Sequence, residues 1–222
     1  MASQSGKAER FARSHIEPGI VVLPNAWDTG SAIMMVESGF AAIATTSAGV
    51  AFAMGLPDGQ HVSRDAMLEC VARIVAAVPV PVTADLEAGY GPKPEDVAIT
   101  VLGALEAGAA GCNIEDATGN PDKPLFDLEL ACDRIRAGAE AARGAGSPFV
   151  LNARGGSASA LSVADLERLG VKRVSIGGSL SVAVLAFVQQ SMRELREQGT
   201  FGYAPAALSN ANTNAIMARY RG

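Results

Sequence analysis

The feature that most constrains this chain is a local pattern that recurs along it. A short apolar or β-branched run leads into a turn, and a capped helical segment follows. The runs fall at residues 20–24, 40–46, 80–85, 110–114, 148–152 and 171–176. Asp28 is placed to cap a helix reaching Ser38, with Gly39 at its end. Ser63 precedes Met67, Leu68, Val71, Ile74, Val75 and Val78, which share one helical face. Pro94 suits a first helical position, with Glu95 and Asp96 in the first turn. Asp127 and Ser162 stand as further N-caps, Gly170 stops the helix begun at Ser162, and Gly177-Gly178 opens a long helix over residues 179–198. A last helix is expected over residues 209–220.

Strands alternating with helices through short loops specify a parallel sheet covered by helices. Right-handed crossovers put every C-terminal strand end on one face. The expected fold class is therefore α/β, a (β/α) barrel of the TIM kind. It is expected as one domain over residues 1–222, with residues 179–222 as C-terminal helices.

Polar residues gather where the strands end: Asn25; Thr45, Thr46 and Ser47; Asp85 and Glu87; Glu115 and Asp116; Asn152 and Arg154; Ser175 with Gly177-Gly178. In a barrel that face carries the active site. Asp85 and Glu87 are two residues apart at a strand end, so their side chains point the same way. Glu115 ends the neighbouring strand, about 5 Å away in a parallel sheet. Asp58 lies in the loop Gly55-Leu56-Pro57-Asp58-Gly59. Four carboxylates around one point suit a hard divalent cation, Mg²⁺ or Mn²⁺, held through oxygen and water. The competing reading of Asp85 and Glu87 alone is a solvated strand end. Arg154 offers a fork for a substrate carboxylate. The backbone N–H groups of Thr46, Ser47, Ala48 and Gly49 offer a place for a second anionic group. Together these residues describe a site for a small dianionic acid chelated to a metal.

The composition excludes other classes. At 49% hydrophobic with a net charge of −5, the chain has no basic surface for nucleic acid. Its apolar stretches are interrupted well before membrane-spanning length, and residues 1–17 lack the apolar stretch of a secretory signal. Cysteines 70, 112 and 132 are odd in number and include no C-x-x-C, which predicts reduced, buried thiols and a cytoplasmic protein.

Six motifs occur in order: Pro24-Asn25-Ala26-Trp27-Asp28, Thr45-Thr46-Ser47-Ala48-Gly49-Val50, Gly55-Leu56-Pro57-Asp58, Ala84-Asp85-Leu86-Glu87-Ala88-Gly89-Tyr90-Gly91, Asn113-Ile114-Glu115-Asp116 and Asn152-Ala153-Arg154. In this the chain resembles the isocitrate lyase / phosphoenolpyruvate mutase superfamily, well over residues 15–154 and more loosely over 160–219. The resemblance implies a (β/α) barrel of the phosphoenolpyruvate mutase kind, a Mg²⁺ (or Mn²⁺) ion and a 2-oxo or enol acid substrate. It assigns Asp85, Glu87, Glu115 and, through water, Asp58 to the metal. Thr46, Ser47, Ala48 and Gly49 fall to the substrate carboxylate, Arg154 to the acidic end of the substrate, and Asp58 and Arg154 to catalysis. It also implies exchange of a C-terminal helix between subunits, hence a homodimer or homotetramer.

The chain departs from the pattern in three places. Glu87 stands where characterised members often have Asp. The loop after Glu115-Asp116 reads Ala117-Thr118-Gly119-Asn120-Pro121-Asp122-Lys123-Pro124, without the Cys and His that isocitrate and methylisocitrate lyases carry there. Cys112 is read as core and Lys123 as a solvated lysine or a lid cation. The third departure is length. Six strands are countable where the family has eight, and Gly155-Gly156-Ser157-Ala158-Ser159 resembles the loop after the family's seventh strand. The barrel is therefore expected to be shortened by about two βα units between Arg154 and Ser162. A true short form, closure by a partner chain and a longer parent sequence all remain open.

The expected function is a Mg²⁺-dependent lyase that cleaves a C–C bond of a small 2-oxo or enol acid through a metal-stabilised enolate. Its chemistry would resemble oxaloacetate decarboxylation or methylisocitrate cleavage. Phosphonomutase-type P–C chemistry is the alternative within enzymes, and a catalytically silent metal- or ligand-binding scaffold the alternative outside them. A weaker reading makes Gly177-Gly178 a phosphate site.

Overall fold

The computed structural model describes residues 4–154, 162–168 and 170–220. The strands are β1 (Val21–Leu23), β2 (Asn25–Ala26), β3 (Ile43–Thr45), β4 (Val82–Asp85), β5 (Gly111–Glu115), β6 (Ala117–Asn120), β7 (Lys123–Leu125), β8 (Val150–Arg154) and β9 (Arg173–Ser175). The helices are α1 (Gln4–Ser14), α2 (Thr29–Glu37), α3 (Ser47–Ala53), α4 (Arg64–Ala77), α5 (Pro94–Glu106), α6 (Leu128–Gly144), α7 (Val163–Arg168), α8 (Ser179–Gln198) and α9 (Asn210–Ala218).

β1 pairs with β9, and β2, β3, β4, β5 and β8 follow side by side, every pairing parallel. Pro24 marks the point where the first strand changes partner. It has no N–H to give to a ladder, and its carbonyl accepts from the Ala44 N–H at 2.8 Å. The outward faces of β3, β4 and β5 (Ile43, Val82, Ala84, Cys112, Ile114) pack beneath Val71, Ile74, Val97 and Val101 of the helical layer, all buried. This is the barrel-type α/β architecture anticipated from the alternating pattern.

Among the described residues no ladder joins β8 to β9. A polar bridge spans the interior instead. Arg173 Nη2 donates to Asn113 Oδ1 at 2.9 Å, and the same oxygen accepts from Asn152 Nδ2 at 3.1 Å. Side chains from β9, β5 and β8 thus meet on one acceptor. Burial lowers the Arg173 pKa to about 10. Phe11 of α1, 1% exposed, closes the N-terminal end of the sheet with Ala8, Leu23, Ala44 and Ala110. The space there is tight: a Cβ on Gly111 would lie 2.4 Å from the Val150 carbonyl oxygen and 3.2 Å from the Phe11 ring.

Several elements differ from the sequence expectation. Helices α1 and α3 were not anticipated, and the loop after Asp116 folds as the antiparallel β6–β7 hairpin. Asp127 occupies the N-cap position of α6 without capping it; its carboxylate pairs with Lys123 Nζ at 2.6 Å, one turn away in sequence and exposed. Lys123 is therefore a surface ion-pair lysine. Of the three thiols only Cys112 is buried; Cys70 is half-buried, and Cys132 is exposed on the open cavity beside α6. Gly155-Gly156-Ser157-Ala158-Ser159, and with it the bridging of the shortened barrel, lies outside the described residues. Leu169, the expected end of α7, does also. No described helix is long and apolar enough to cross a membrane.

Two glycines separate packing from propensity. Gly111→Ala is expected to cost about 2–3 kcal/mol, because backbone and an aromatic ring must both shift. Gly144→Ala, where a Cβ meets nothing within 4 Å, is expected to be neutral or to stabilise by up to about 1 kcal/mol. Urea denaturation of the two variants checks the contrast.

Candidate active site

A cavity of about 240 Å³ opens at the C-terminal ends of β3, β4, β5 and β8. Thr46, Ser47, Ala48, Asp58, Asp85, Glu87, Glu115 and Arg154 all line it. Of the residues expected to bind metal or substrate, Gly49 alone stands behind the wall. A Cβ there would lie 2.7 Å from Thr46 Cγ2 and 2.8 Å from Trp27 Cβ, so Gly49 serves close packing.

Asp85 ends β4 and is 3% exposed. Its Oδ2 accepts from both the N–H and the hydroxyl of Ser47, at 3.1 and 3.0 Å. Its own N–H donates to Thr45 Oγ1 at 2.8 Å. The other oxygen, Oδ1, is buried with no hydrogen-bond donor; Arg154 Nη1 lies 3.8 Å from it. Burial pushes the Asp85 pKa up, while the Ser47 N–H and Arg154 oppose the shift. Arg154 Nη1 also bonds to Glu115, whose pKa is raised by burial and by Asp85. Glu87 is 6% exposed and accepts from the Gln60 N–H. Burial raises its pKa to about 7; Asp58, Asp85 and Glu115 add to the shift and the Gln60 N–H works against it.

Glu87 sits on an unusual backbone. Its φ is +49°, and Gly89 and Tyr90 follow at +86° and +58°. Non-glycine residues rarely adopt this left-handed region unless their surroundings hold them there. Here four successive carbonyls each accept from a side chain on a helix. Ala88 and Gly91 are held by the two Nη groups of Arg134, the second at 2.6 Å. Gly89 is held by Thr100 Oγ1 at 2.8 Å and Tyr90 by Arg64 Nη2 at 2.8 Å. The sheet side is fixed as well, since Glu115 N–H donates to the Glu87 carbonyl at 2.8 Å. Arg64, Thr100, Arg134 and Gln60 were not among the residues read from the sequence. They are ordinary helix and loop residues there, and no local spacing links them to the carboxylates.

Two expectations about anion-binding N–H groups change. The Ser47 N–H is taken by Asp85 and the Gly49 N–H by Thr46 Oγ1 at 3.3 Å. The Ala48 N–H remains, one of the first-turn donors that helix geometry leaves without an intrahelical acceptor. At Gly177-Gly178, the N–H groups of Ile176 and Gly177 both donate to Asn25 Oδ1 at 3.0 Å. Asn25 Nδ2 in turn donates to the Thr45 carbonyl at 2.7 Å. The glycine pair is therefore a turn already satisfied by a buried asparagine, which removes most of the phosphate reading. Cys112 lies wholly in the core, where burial drives its thiol pKa far up.

The donor set suits a hard cation: all the candidate ligands are oxygens, and Asp85 Oδ1 is a buried acceptor without a donor. As they stand, no three acidic, His or Cys side chains among the described residues are drawn together tightly enough to hold an ion. Arg154 stands between Asp85 and Glu115 and offsets part of their charge, so joint direct ligation by Asp85, Glu87 and Glu115 requires this guanidinium to turn aside. A larger cavity of about 470 Å³ lies between α6 and the β5–β8 edge, touching Glu115 and Arg154 but neither Asp85 nor Glu87.

The geometry agrees with what the chain is similar to. Residues 11–158 match the phosphoenolpyruvate phosphomutase family. An uncharacterised protein of Mycobacterium tuberculosis is 40% identical over 114 residues, 51% of this chain and 42% of that one. The 2-methylisocitrate lyase of Escherichia coli is 34% identical over 143 residues, 61% of this chain and 48% of that one. The aligned segments thus span less than half the length of these relatives. A crystal structure from Burkholderia cenocepacia, described as that of a lyase/mutase, is 36% identical with a TM-score of 0.91, covering 97% of this chain and 96% of that one. Every cavity-lining carboxylate falls inside the matched residues 11–158, and the chain belongs to the phosphoenolpyruvate phosphomutase family.

Proposed function

We propose that this chain is a divalent-cation-dependent lyase that breaks a C–C bond beside the 2-oxo or enol unit of a small dianionic acid. The observation that carries the reading is Asp85: one oxygen is fixed by Ser47, the other is buried without a donor, and three more carboxylates and Arg154 face the same small cavity. Asp85, Glu87 and Glu115 would hold Mg²⁺ or Mn²⁺, directly or through water, and Asp58 through water. When bound, the cation supplies Lewis-acid stabilisation of negative charge developing on the 2-oxo oxygen.

The chain's own residues supply the rest. Ser47 orients Asp85. Arg154 exchanges its bond to Glu115 for a bidentate bond to the substrate's acidic end. The Ala48 N–H and the Thr46 and Ser47 side chains face the other carboxylate, and Gly49 lets that wall pack closely. Asp58, on the loop whose Gln60 N–H orients Glu87, lines the same cavity and would serve as the acid or base of the reaction. The hairpin after Asp116 carries neither thiol nor imidazole. That favours decarboxylation-like cleavage, in which the departing group needs no dedicated acid, over isocitrate-type cleavage. Phosphonomutase chemistry is the second reading, supported by the matched family. A silent binding scaffold is the third, supported by the absence, among the described residues, of a ladder joining β8 to β9.

The assembly reading is a homodimer or homotetramer. Leu180, Val182, Val184, Leu185, Phe187, Val188 and Met192 of α8 are all 40–52% exposed on the single chain. An apolar helix this exposed is expected to be buried against another copy. The unpaired thiols fit a reducing, cytoplasmic setting.

Turnover is expected on oxaloacetate or a related 2-oxo diacid with Mg²⁺, and not with chelator. Asp85→Ala should lower kcat/KM by about a hundredfold or more while the circular dichroism stays unchanged. Binding of Mn²⁺ without turnover on a broad panel, phosphonopyruvate included, would leave the scaffold. Sedimentation should give a dimer or tetramer, and Val184→Asp with Phe187→Asp a monomer.

The pH dependence has a defined sign. A carboxylate raised to about 7 in the folded chain, against about 4.3 unfolded, stabilises the fold fully below about pH 4.3. That contribution is lost as pH rises through 7. Cation affinity runs oppositely, because cation and proton compete for Glu87. Thermal melts from pH 5 to 8 should show the cation-free Tm contribution of Glu87 falling with pH and the Mn²⁺-induced rise in Tm growing. Glu87→Gln should flatten both trends.

A further inference from the structure

Arg134 of α6 is 1% exposed, among the largest fully buried side chains in the molecule. Among the described residues it has no carboxylate within ion-pair distance. Asp96 attracts it only from beyond contact distance, and a buried guanidinium with no carboxylate in contact is costly to desolvate, so its placement calls for a reason beyond packing. Its edge holds both ends of the turn that follows Glu87, through the Ala88 and Gly91 carbonyls. Its face is covered by the Phe126 ring, 4.1 Å from the guanidinium carbon to the ring centroid. Phe126 directly follows β7, and its N–H closes the base of the hairpin on the Asp116 carbonyl at 2.9 Å. Ala117 and Gly119 of the same hairpin line the active-site cavity. One planar group therefore touches the hairpin with its face and the carboxylate turn with its edge.

We propose that Arg134 is a positioning residue that couples the β6–β7 hairpin to the turn carrying Glu87. Seating Phe126 shields the guanidinium from water, which strengthens its bonds to the two carbonyls. Those bonds hold the left-handed backbone at Glu87 and Tyr90. Lifting the hairpin wets the guanidinium and loosens the turn. Coupling of this kind is reciprocal, so a cation that fixes Glu87 also favours the seated hairpin. The cation part rests on the functional reading above; the mechanical part does not.

Amide hydrogen exchange tests it on the full chain as wild type, Phe126→Ala, Phe126→Tyr and Arg134→Lys. The reporters are the Gly89 N–H, bonded to the Leu86 carbonyl at 2.9 Å, and the Glu115 N–H, bonded to the Glu87 carbonyl. Phe126→Ala and Arg134→Lys are expected to speed exchange at both reporters by roughly fivefold or more, with β3 and α4 unchanged. Phe126→Tyr, which keeps the ring face, should match wild type. Added Mn²⁺ should slow exchange at the Phe126 N–H in wild type and not in Arg134→Lys, and Phe126→Ala should weaken Mn²⁺ binding by a similar factor. Unchanged reporters in Phe126→Ala, or Arg134→Lys indistinguishable from wild type, would overturn the coupling. If wild type binds no Mn²⁺, the metal reading of the site fails, and the cation-free exchange rates still decide whether hairpin and turn are coupled.

Discussion

The structure of the site depends on the way the turn after Glu87 is held. Three left-handed residues in four positions, two of them not glycine, would relax to another conformation if their carbonyls were left to water. Arg64 from α4, Thr100 from α5 and Arg134 from α6 each spend hydrogen bonds on this backbone. Three outer helices are thereby tied to one turn at the mouth of the sheet. The result is that Glu87 points back toward Asp85 instead of continuing away along the strand direction. Gly91 belongs to the same constraint, since a Cβ there would lie 2.2 Å from an Asp96 carboxylate oxygen.

The electrostatics follow from that placement. Four carboxylates around a cavity of about 240 Å³ repel one another, and Asp85 and Glu87 among them are buried from solvent. The protein compensates in part: Arg154 sits between Asp85 and Glu115, Ser47 donates twice to Asp85, and Gln60 donates to Glu87. Compensation is incomplete, since Asp85 Oδ1 lacks a donor and Glu87 is raised toward neutrality. A site left short of positive charge in this way is suited to recruit it with a cation and a substrate. The interior below is settled differently, by neutral amides: Asn113 gathers Arg173 and Asn152, and Asn25 ties the ends of β3 and β9.

Much of this was legible in the residues. Caps at Asp28 and Ser63 hold their helices as read, with Asp28 accepting from Ser31 at 2.7 Å. The parallel order follows from the βα alternation, and strand-end position and register bring Asp85, Glu115 and Arg154 to one cavity. Glu87 reaches it from a left-handed turn past the end of β4, and Asp58 from a loop, so the expected strand alternation of Asp85 and Glu87 is not what aligns them. Other features were not legible. Thr46 starts a seven-residue helix whose first N–H groups are consumed locally, so the expected anion cradle is smaller. The hairpin after Asp116 has no alternating apolar pattern, because both of its strands are exposed or half-buried.

By itself, then, the sequence determined the class of fold, the face on which chemistry sits and the identity of the acidic and basic groups there. These depend on periodicities of two to four residues and on strand-end positions, which are local properties. Only the tertiary structure decided how those groups are held: the side chains clamping the Glu87 turn, the Arg154 bridge, the satisfied Gly177 turn and the Arg134–Phe126 contact. Each joins residues 26 to 152 positions apart or sets a face of one side chain against another. The exceptions are Thr100 on Gly89 and Phe126 on Arg134, near in sequence but brought together only once α5 and α6 dock on the sheet. Such contacts depend on the three-dimensional packing of whole elements, which no run of neighbouring residues encodes.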